Sequence, residues 1–284
     1  MTLTINTNMA SLTVQHNMDK ATKALNQSIN RMTTGYKINA AKDDAAGYSV
    51  MTKMDTNLRS TAVCQSNVAM GSSLLSTLEN NYDIMIDHMQ RIRDLTEEAA
   101  NGTYSADSLT AINSEIEARF TEIDRIASLT DYNGKKLMTG ALNNGVNIQV
   151  GIDSSTNSTI ALEAGLFADA KAGTIIGKTA TEYKALITTP STTNIRTALN
   201  AIDAGLADIT SRQTSIGAYQ NRLDSAADAL TIQYDNLSSS LSTVRDTDVA
   251  SESSNFIKAQ ILQQASASLL TTANQTPSIA LNLI

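Results

Sequence analysis

The chain has 284 residues, a formal net charge of -7, aromatics at 4%, no Trp and 2 Pro. This acidity excludes the basic face that nonspecific nucleic-acid binding requires, and the single cysteine, Cys64, excludes an internal disulfide framework. So few aromatics and prolines point away from a compact enzyme and towards long helices with Leu, Ile, Met and Ala in their seams.

Met1 to Leu12 carries neither a basic n-region nor an apolar h-region. The expectation is a cytoplasmic chain, or one exported without a cleaved signal. Met18, Ala21, Leu25, Ile29, Met32 and Tyr36 then step by threes and fours, which predicts a helix. It breaks at Gly35 and again at Asp43–Asp44, where Asp43 is placed to cap the next helix. That helix has a seam at Leu78, Tyr82, Met85, Met89, Ile92, Thr96 and Ala99, and Asn101–Gly102 ends it by turn chemistry. Cys64 falls within it and reads as a small packed residue. Ser105 opens a third helix with Asp107 in its first turn and Leu109, Ile112, Ile116, Phe120 and Ile123 on one face; Asn133–Gly134 marks its stop.

The pattern then changes period. Val146, Ile148, Val150 and Ile152 alternate with polar residues, and Ile160 and Leu162 repeat the alternation after a polar connection, which predicts a β-hairpin. Residues 166–194 are weakly patterned, rich in Ala, Gly and Thr, with Pro190 near the end; they read as a small surface excursion. From Ile195 a register alternating four and three runs through Leu199, Ile202, Leu206, Ile209, Gln213, Ile216, Gln220, Leu223, Ala227, Leu230, Tyr234, Leu237 and Leu241 to Val244. So long a seam is a coiled-coil signal, with Gln213 and Gln220 as register-setting polar positions. The fold class is therefore mainly α, a long coiled-coil or helical-bundle domain built from both chain ends with a small β-hairpin in the middle.

From Ala259 to Ile284 no charged residue or histidine occurs. Gln260, Gln263, Gln264, Ser266, Ser268, Asn274 and Gln275 interrupt the stretch, so it is not a membrane span. Ile257, Ile261, Ala265 and Leu269 lie at helical spacing, with a second ridge at Leu262 and Leu270. Apolar atoms on more than one side of an uncharged helix call for more than one partner.

No catalytic constellation accompanies these helices. His16 and His88 lie far apart and in no metal-ligand spacing, and no His-Glu-x-x-His occurs. Adjacent acids such as Glu97–Glu98 diverge by about 100° around a helix. The expectation is a protein with no enzymatic activity, no metal and no cofactor.

Longer motifs are more specific than periodicity. The stretch from Gln27 to Gly47, Gln-Ser-Ile-Asn-Arg-Met-Thr-Thr-Gly-Tyr-Lys-Ile-Asn-Ala-Ala-Lys-Asp-Asp-Ala-Ala-Gly, strongly resembles the N-terminal signature of bacterial flagellins. Gln90–Leu95, Ala100–Thr103, Glu122–Ile126 and Ile148–Gly151 resemble further family motifs, as do Gly217–Leu223, Ile261–Ala265 and Ala273-Asn-Gln-x-Pro277 near the other end. The resemblance covers residues 1–165 and 195–284. Gly47-Tyr48-Ser49, Cys64 and the final Ile284 depart from the usual pattern.

The resemblance implies a subunit of the extracellular bacterial flagellar filament that serves swimming motility. Residues 1–42 and 245–284 would form an inner core domain, and 43–165 with 195–244 a helical-bundle domain carrying the hairpin. Residues 166–194 would be a short variable surface segment in place of large outer domains. Partners implied are other copies of the chain, the flagellar cap and hook-junction proteins, a flagellin export chaperone and the flagellar export apparatus, with no nucleic acid and no membrane. Leu25, Ile29 and Met32 with Ile257, Ile261, Leu262, Ala265 and Leu269 are the expected assembly core. Residues 1–40 and 245–284 are expected to be disordered in the free monomer and to fold against neighbours. Gln90, Arg91, Asp94, Leu95 and Glu115 match positions through which a host Toll-like receptor contacts family members, Arg91 and Leu95 sharing a helix face. A hook–filament junction protein is the nearest alternative, although the full Lys42–Gly47 signature and the Gln90–Leu95 motif are unusual for one.

Overall fold

The computed structural model describes residues 7–281 except Pro190; residues 1–6 and 282–284 of the expected inner domain lie outside the described residues. Seven helices are seen there: α1 (Met9–Thr34), α2 (Ala45–Ala99), α3 (Ala106–Leu129), α4 (Ala172–Ile175), α5 (Ala180–Thr188), α6 (Thr192–Arg245) and α7 (Val249–Leu281). Two small antiparallel pairs sit between α3 and α4, namely β1 (Asp131–Tyr132) with β2 (Lys135–Lys136), and β3 (Val146–Gln149) with β4 (Thr159–Leu162). The chain divides into two compact units. One runs up to Leu58 and resumes at Asp235, and the other is Arg59–Tyr234. Helix breaks fall at 35–44 and 246–248.

In the first unit α1 and α7 run antiparallel. Asn8 Nδ2 donates to Ala273 O at 2.8 Å, Gln263 Nε2 to Thr22 Oγ1 at 3.0 Å, and Arg31 pairs with Glu252 at 3.6 Å. The residues buried between the two helices are small or polar: Ala21 and Ser28 on α1, Glu252, Ala259 and Ser266 on α7. Gly35 closes α1 in a left-handed conformation (φ 74°) with its N–H on Arg31 O. Beyond it Lys37 N donates to Arg245 O at 2.7 Å and Thr247 N to Gly35 O at 2.9 Å, so a bridge at Tyr36 and Asp246 ties the two breaks together. The cap of α2 differs from expectation. Asp44, not Asp43, accepts from the first-turn amides of Ala46 and Gly47, while Asp43 folds back onto the amides of Asn39 and Ala40. Asp44 is adjacent to the helix start, and only there can a side chain reach the second and third helical N–H groups.

The second unit holds the main core. The α2 seam Leu78, Tyr82, Met85, Met89, Ile92, Thr96 and Ala99 is buried throughout, facing Ile112, Ile116, Phe120 and Ile123 of α3. On α6 the buried row is every seventh residue, Ile195, Ile202, Ile209, Ile216, Leu223 and Leu230, whereas Leu199, Leu206 and Ala227 are half-buried. The two seam glutamines reach α2 carboxylates: Gln213 Nε2 donates to Asp83 and Gln220 Nε2 to Glu79. Gly205 permits close approach, since a Cβ there would lie 2.6 Å from Met89 Cε and 3.0 Å from Ile175 Cγ2. The β3–β4 hairpin pairs Ile148 with Ile160, both buried.

Two expectations are overturned here. Asn133–Gly134 is not a helix stop: α3 ends at Leu129, and this pair forms the two-residue loop of β1–β2 with φ of 51° and 77°, which suits the right-handed strand twist. Residues 166–194 are not a surface excursion either. Leu166, Phe167, Ala170, Ala172, Ile175, Ile176, Tyr183 and Ile187 are all buried. Tyr82 Oη donates to Leu166 O at 3.0 Å, and Arg212 Nη1 donates to Ala168 O at 3.0 Å and to Tyr82 Oη at 3.2 Å. The Tyr183 ring lies 5.3 Å from that of Phe120, and burial pushes its phenol up to about 12. Its apolar residues come in short turns, so no single period survives in the sequence.

Candidate assembly and recognition surfaces

The α1–α7 pair turns many of its large apolar residues outward. Exposure rises from 38% at Met32 and 44% at Ile29 to 53% at Ile257 and 58% at Ile261 and Leu269; Leu262 is exposed as well. Ala265 is exposed and Leu25 half-buried. The cause lies in the pairing itself. Two helices that meet through alanine, serine and one ion pair approach closely on that line, which leaves isoleucine and leucine on the flanks. A groove along the pair is walled by Leu262 and Leu269 and rimmed by Lys20, Arg31 and Lys258. Of the apolar residues on α1, Met9 and Leu12 are exposed as well, and periodicity from Met18 onward did not reach them.

The second surface is a charged ridge on α2 and α3. Arg91 Nε donates to Glu115 Oε1 at 3.0 Å and its Nη2 to Oε2 at 3.4 Å. Arg119 reaches the same carboxylate at 3.4 Å, and its other terminal nitrogen lies 3.1 Å from His88 Nδ1. The hydrogen bond from Arg91 and the charges of both arginines hold the Glu115 carboxyl below the usual range. Gln90 and Asp94 are exposed beside this pair. Leu95 is the exception and corrects the sequence reading: it is 2% exposed and belongs to the core. With α2 covered by both α3 and α6, its buried stripe is wider than a two-position seam and takes in Leu95 with Ile92 and Thr96. Arg119 and His88 were missed, although the i,i+4 spacing of Glu115 and Arg119 signals an ion pair.

Other candidate chemistry is quiet. Cys64 is buried, its thiol donates to Gly151 O at 3.3 Å, and burial pushes the thiol up. Among the described residues no cluster of three or more His, Cys, Asp or Glu could hold a metal ion, and no helix is long and apolar enough to cross a membrane.

Comparison with known proteins matches residues 5–143 to the bacterial flagellin N-terminal helical region and residues 199–284 to the C-terminal helical region. A 30.7 kDa flagellar filament core protein of Treponema maltophilum is 31% identical, with 99% of each chain covered. A flagellin of Listeria innocua is 32% identical over the same share of both chains. In fold alone, the chain is similar to a flagellar hook-associated protein from Vibrio parahaemolyticus, with a TM-score of 0.60, 18% identity, and coverage of 72% of this chain and 100% of that one.

Proposed function

The chain belongs to the bacterial flagellin family, and we propose that it assembles through the outward apolar rows of the α1–α7 pair. It is a structural subunit of a self-polymerising filament, not an enzyme. The observation that carries the assembly reading is the exposure of Ile29, Met32, Ile257, Ile261, Leu262 and Leu269 on a pair whose fully buried residues are only small or polar. Burying each such residue against neighbouring copies contributes roughly 1.5–3 kcal/mol if burial is complete. In this reading 1–42 and 245–284 act as the inner core domain, of which 1–40 and 245–284 become fully ordered only in the polymer, while 43–165 and 195–244 act as the bundle outside it. The chain leaves the cell through the flagellar export apparatus, with an export chaperone covering α7 beforehand, and adds to the filament under the cap beyond the hook-junction proteins. Electron microscopy after salt-induced polymerisation tests the reading. The intact chain is expected to give long helical filaments, and Leu269→Ala should weaken assembly by about 2–5 kcal/mol per subunit with a normal monomer melt. Short rings in place of filaments would favour a junction protein.

The ridge of Gln90, Arg91, Asp94 and Glu115 supports recognition by the host Toll-like receptor for flagellin, with Leu95 as buried backing rather than contact. Arg91 is pre-oriented by Glu115, so a partner would meet a guanidinium that has already lost much of its rotamer freedom. Arg91→Ala is expected to reduce receptor activation by purified monomer at least severalfold; an unchanged response would remove this ridge from consideration.

A further inference from the structure

Three Asn-Gly pairs occur in the chain, at 101–102, 133–134 and 144–145. In such a pair the glycine backbone nitrogen can attack the asparagine side-chain carbonyl carbon, because glycine carries no Cβ to obstruct it. A bond forms between that nitrogen and Cγ, the carboxamide C–N bond breaks, and ammonia leaves carrying the amide proton. Water then opens the resulting succinimide at either carbonyl, leaving aspartate or isoaspartate. The step needs a disengaged glycine N–H and a peptide free to rotate; the fold sets Asn144 apart on the first count and Asn133 on the second.

Gly145 N donates to Leu142 O at 2.9 Å, and its α-carbon is packed against the backbone at Leu162. Asn133 and Gly134 are clamped between the paired strands β1 and β2, both at positive φ. Asn101–Gly102 differs. It is exposed between the end of α2 and the start of α3, with open space around Gly102 and no backbone partner for its N–H among the described residues. Thr103 N donates to Asn101 Oδ1 at 3.3 Å, which lays the carboxamide along the Gly102 peptide.

We propose that Asn101 is a site of spontaneous deamidation in the folded chain, with Asn144 protected and Asn133 restrained. The product places a new negative charge just past the C-terminal end of α2, whose last turn has no basic residue and already carries Glu97 and Glu98; the helix dipole opposes it there. A cation is close, however. Asn101 lines one cavity with Tyr104, Leu109, Ile195 and Arg196, and Arg196 makes no ion pair among the described residues.

The test is incubation of the purified full-length chain in mildly alkaline buffer, native and in urea, followed by peptide mass analysis and isoaspartate detection. In the native chain the Asn101 peptide should convert about tenfold faster than the Asn144 peptide, the factor set by the hydrogen bond that Gly145 must break first. In urea that ratio should collapse towards unity. Gly102→Val should slow conversion at Asn101 and leave the other two sites unchanged. Equal native rates, a ratio that persists in urea, or an unaffected Gly102→Val variant would each overturn the proposal.

Discussion

Single side chains divide between those the core consumes and those left at the surface. Arg91 and Leu95 are four apart on one helix and meet opposite fates, one in an exposed ion pair and the other 2% exposed. The exposed pair makes a pH prediction. Because Arg91 holds the Glu115 carboxyl below its ordinary value, the carboxylate should stay charged, and the pair intact, as pH falls through the usual glutamate range, and be lost only below it. An NMR titration of the Glu115 side chain should show that lowered midpoint. Arg91→Ala should raise it, and a midpoint insensitive to that substitution would contradict the cause assigned. Cys64, buried and bonded to Gly151 O, is the small packed residue its place in the helix pattern predicts, and its thiol is not placed for cross-linking in the folded chain.

At the scale of elements, the segment between β4 and α6 departs most from the sequence reading. Its turn at Ala164–Phe167 is held by polar groups of two long helices, Tyr82 on α2 and Arg212 on α6. Replacing Tyr82 by Phe removes the donor to Leu166 O and leaves a buried carbonyl without that partner. Denaturant unfolding should then show a loss of about 1–3 kcal/mol, with faster amide exchange around Leu166 to Ala168. An unchanged midpoint would mean that apolar packing alone seats this segment. The long helices were legible because a seam repeated over many turns has one physical solution; Asp43 and Asn133 were misread because capping and turn roles depend on a single residue of register.

For the whole molecule, the proposed place of the uncharged run from Ala259 onward, against other copies of the chain, makes a prediction of its own. Gln264 is exposed on α7, so a charge placed there costs an isolated chain almost nothing. Repeated at close spacing along a filament it would repel its own copies. Gln264→Glu is therefore expected to raise the critical concentration for polymerisation at low salt and to recover as salt screens the repulsion, the Debye length falling from about 30 Å at 0.01 M to about 8 Å at 0.15 M. Sedimentation of polymer across a salt series reads this directly. A variant that polymerises equally well at every salt concentration would show that the run does not meet itself in the filament.

Much was decided by the sequence by itself: the mainly helical class, the α2 and α6 seams, the β3–β4 hairpin and membership of a filament-forming family. Each of these rests on a pattern repeated along the chain or a motif many residues long, and such signals accumulate. Only the tertiary structure decided that residues 166–187 contribute to the core, that Leu95 is covered, and that α1 and α7 meet through Ala21, Ser28, Glu252, Ala259 and Ser266 with Ile29, Ile257, Ile261, Leu262 and Leu269 outward. Burial is a property of what packs on the other side. An amphipathic pattern says that a face needs covering, but the geometry of the neighbouring helix determines which of two apolar faces is covered within the chain and which stays exposed.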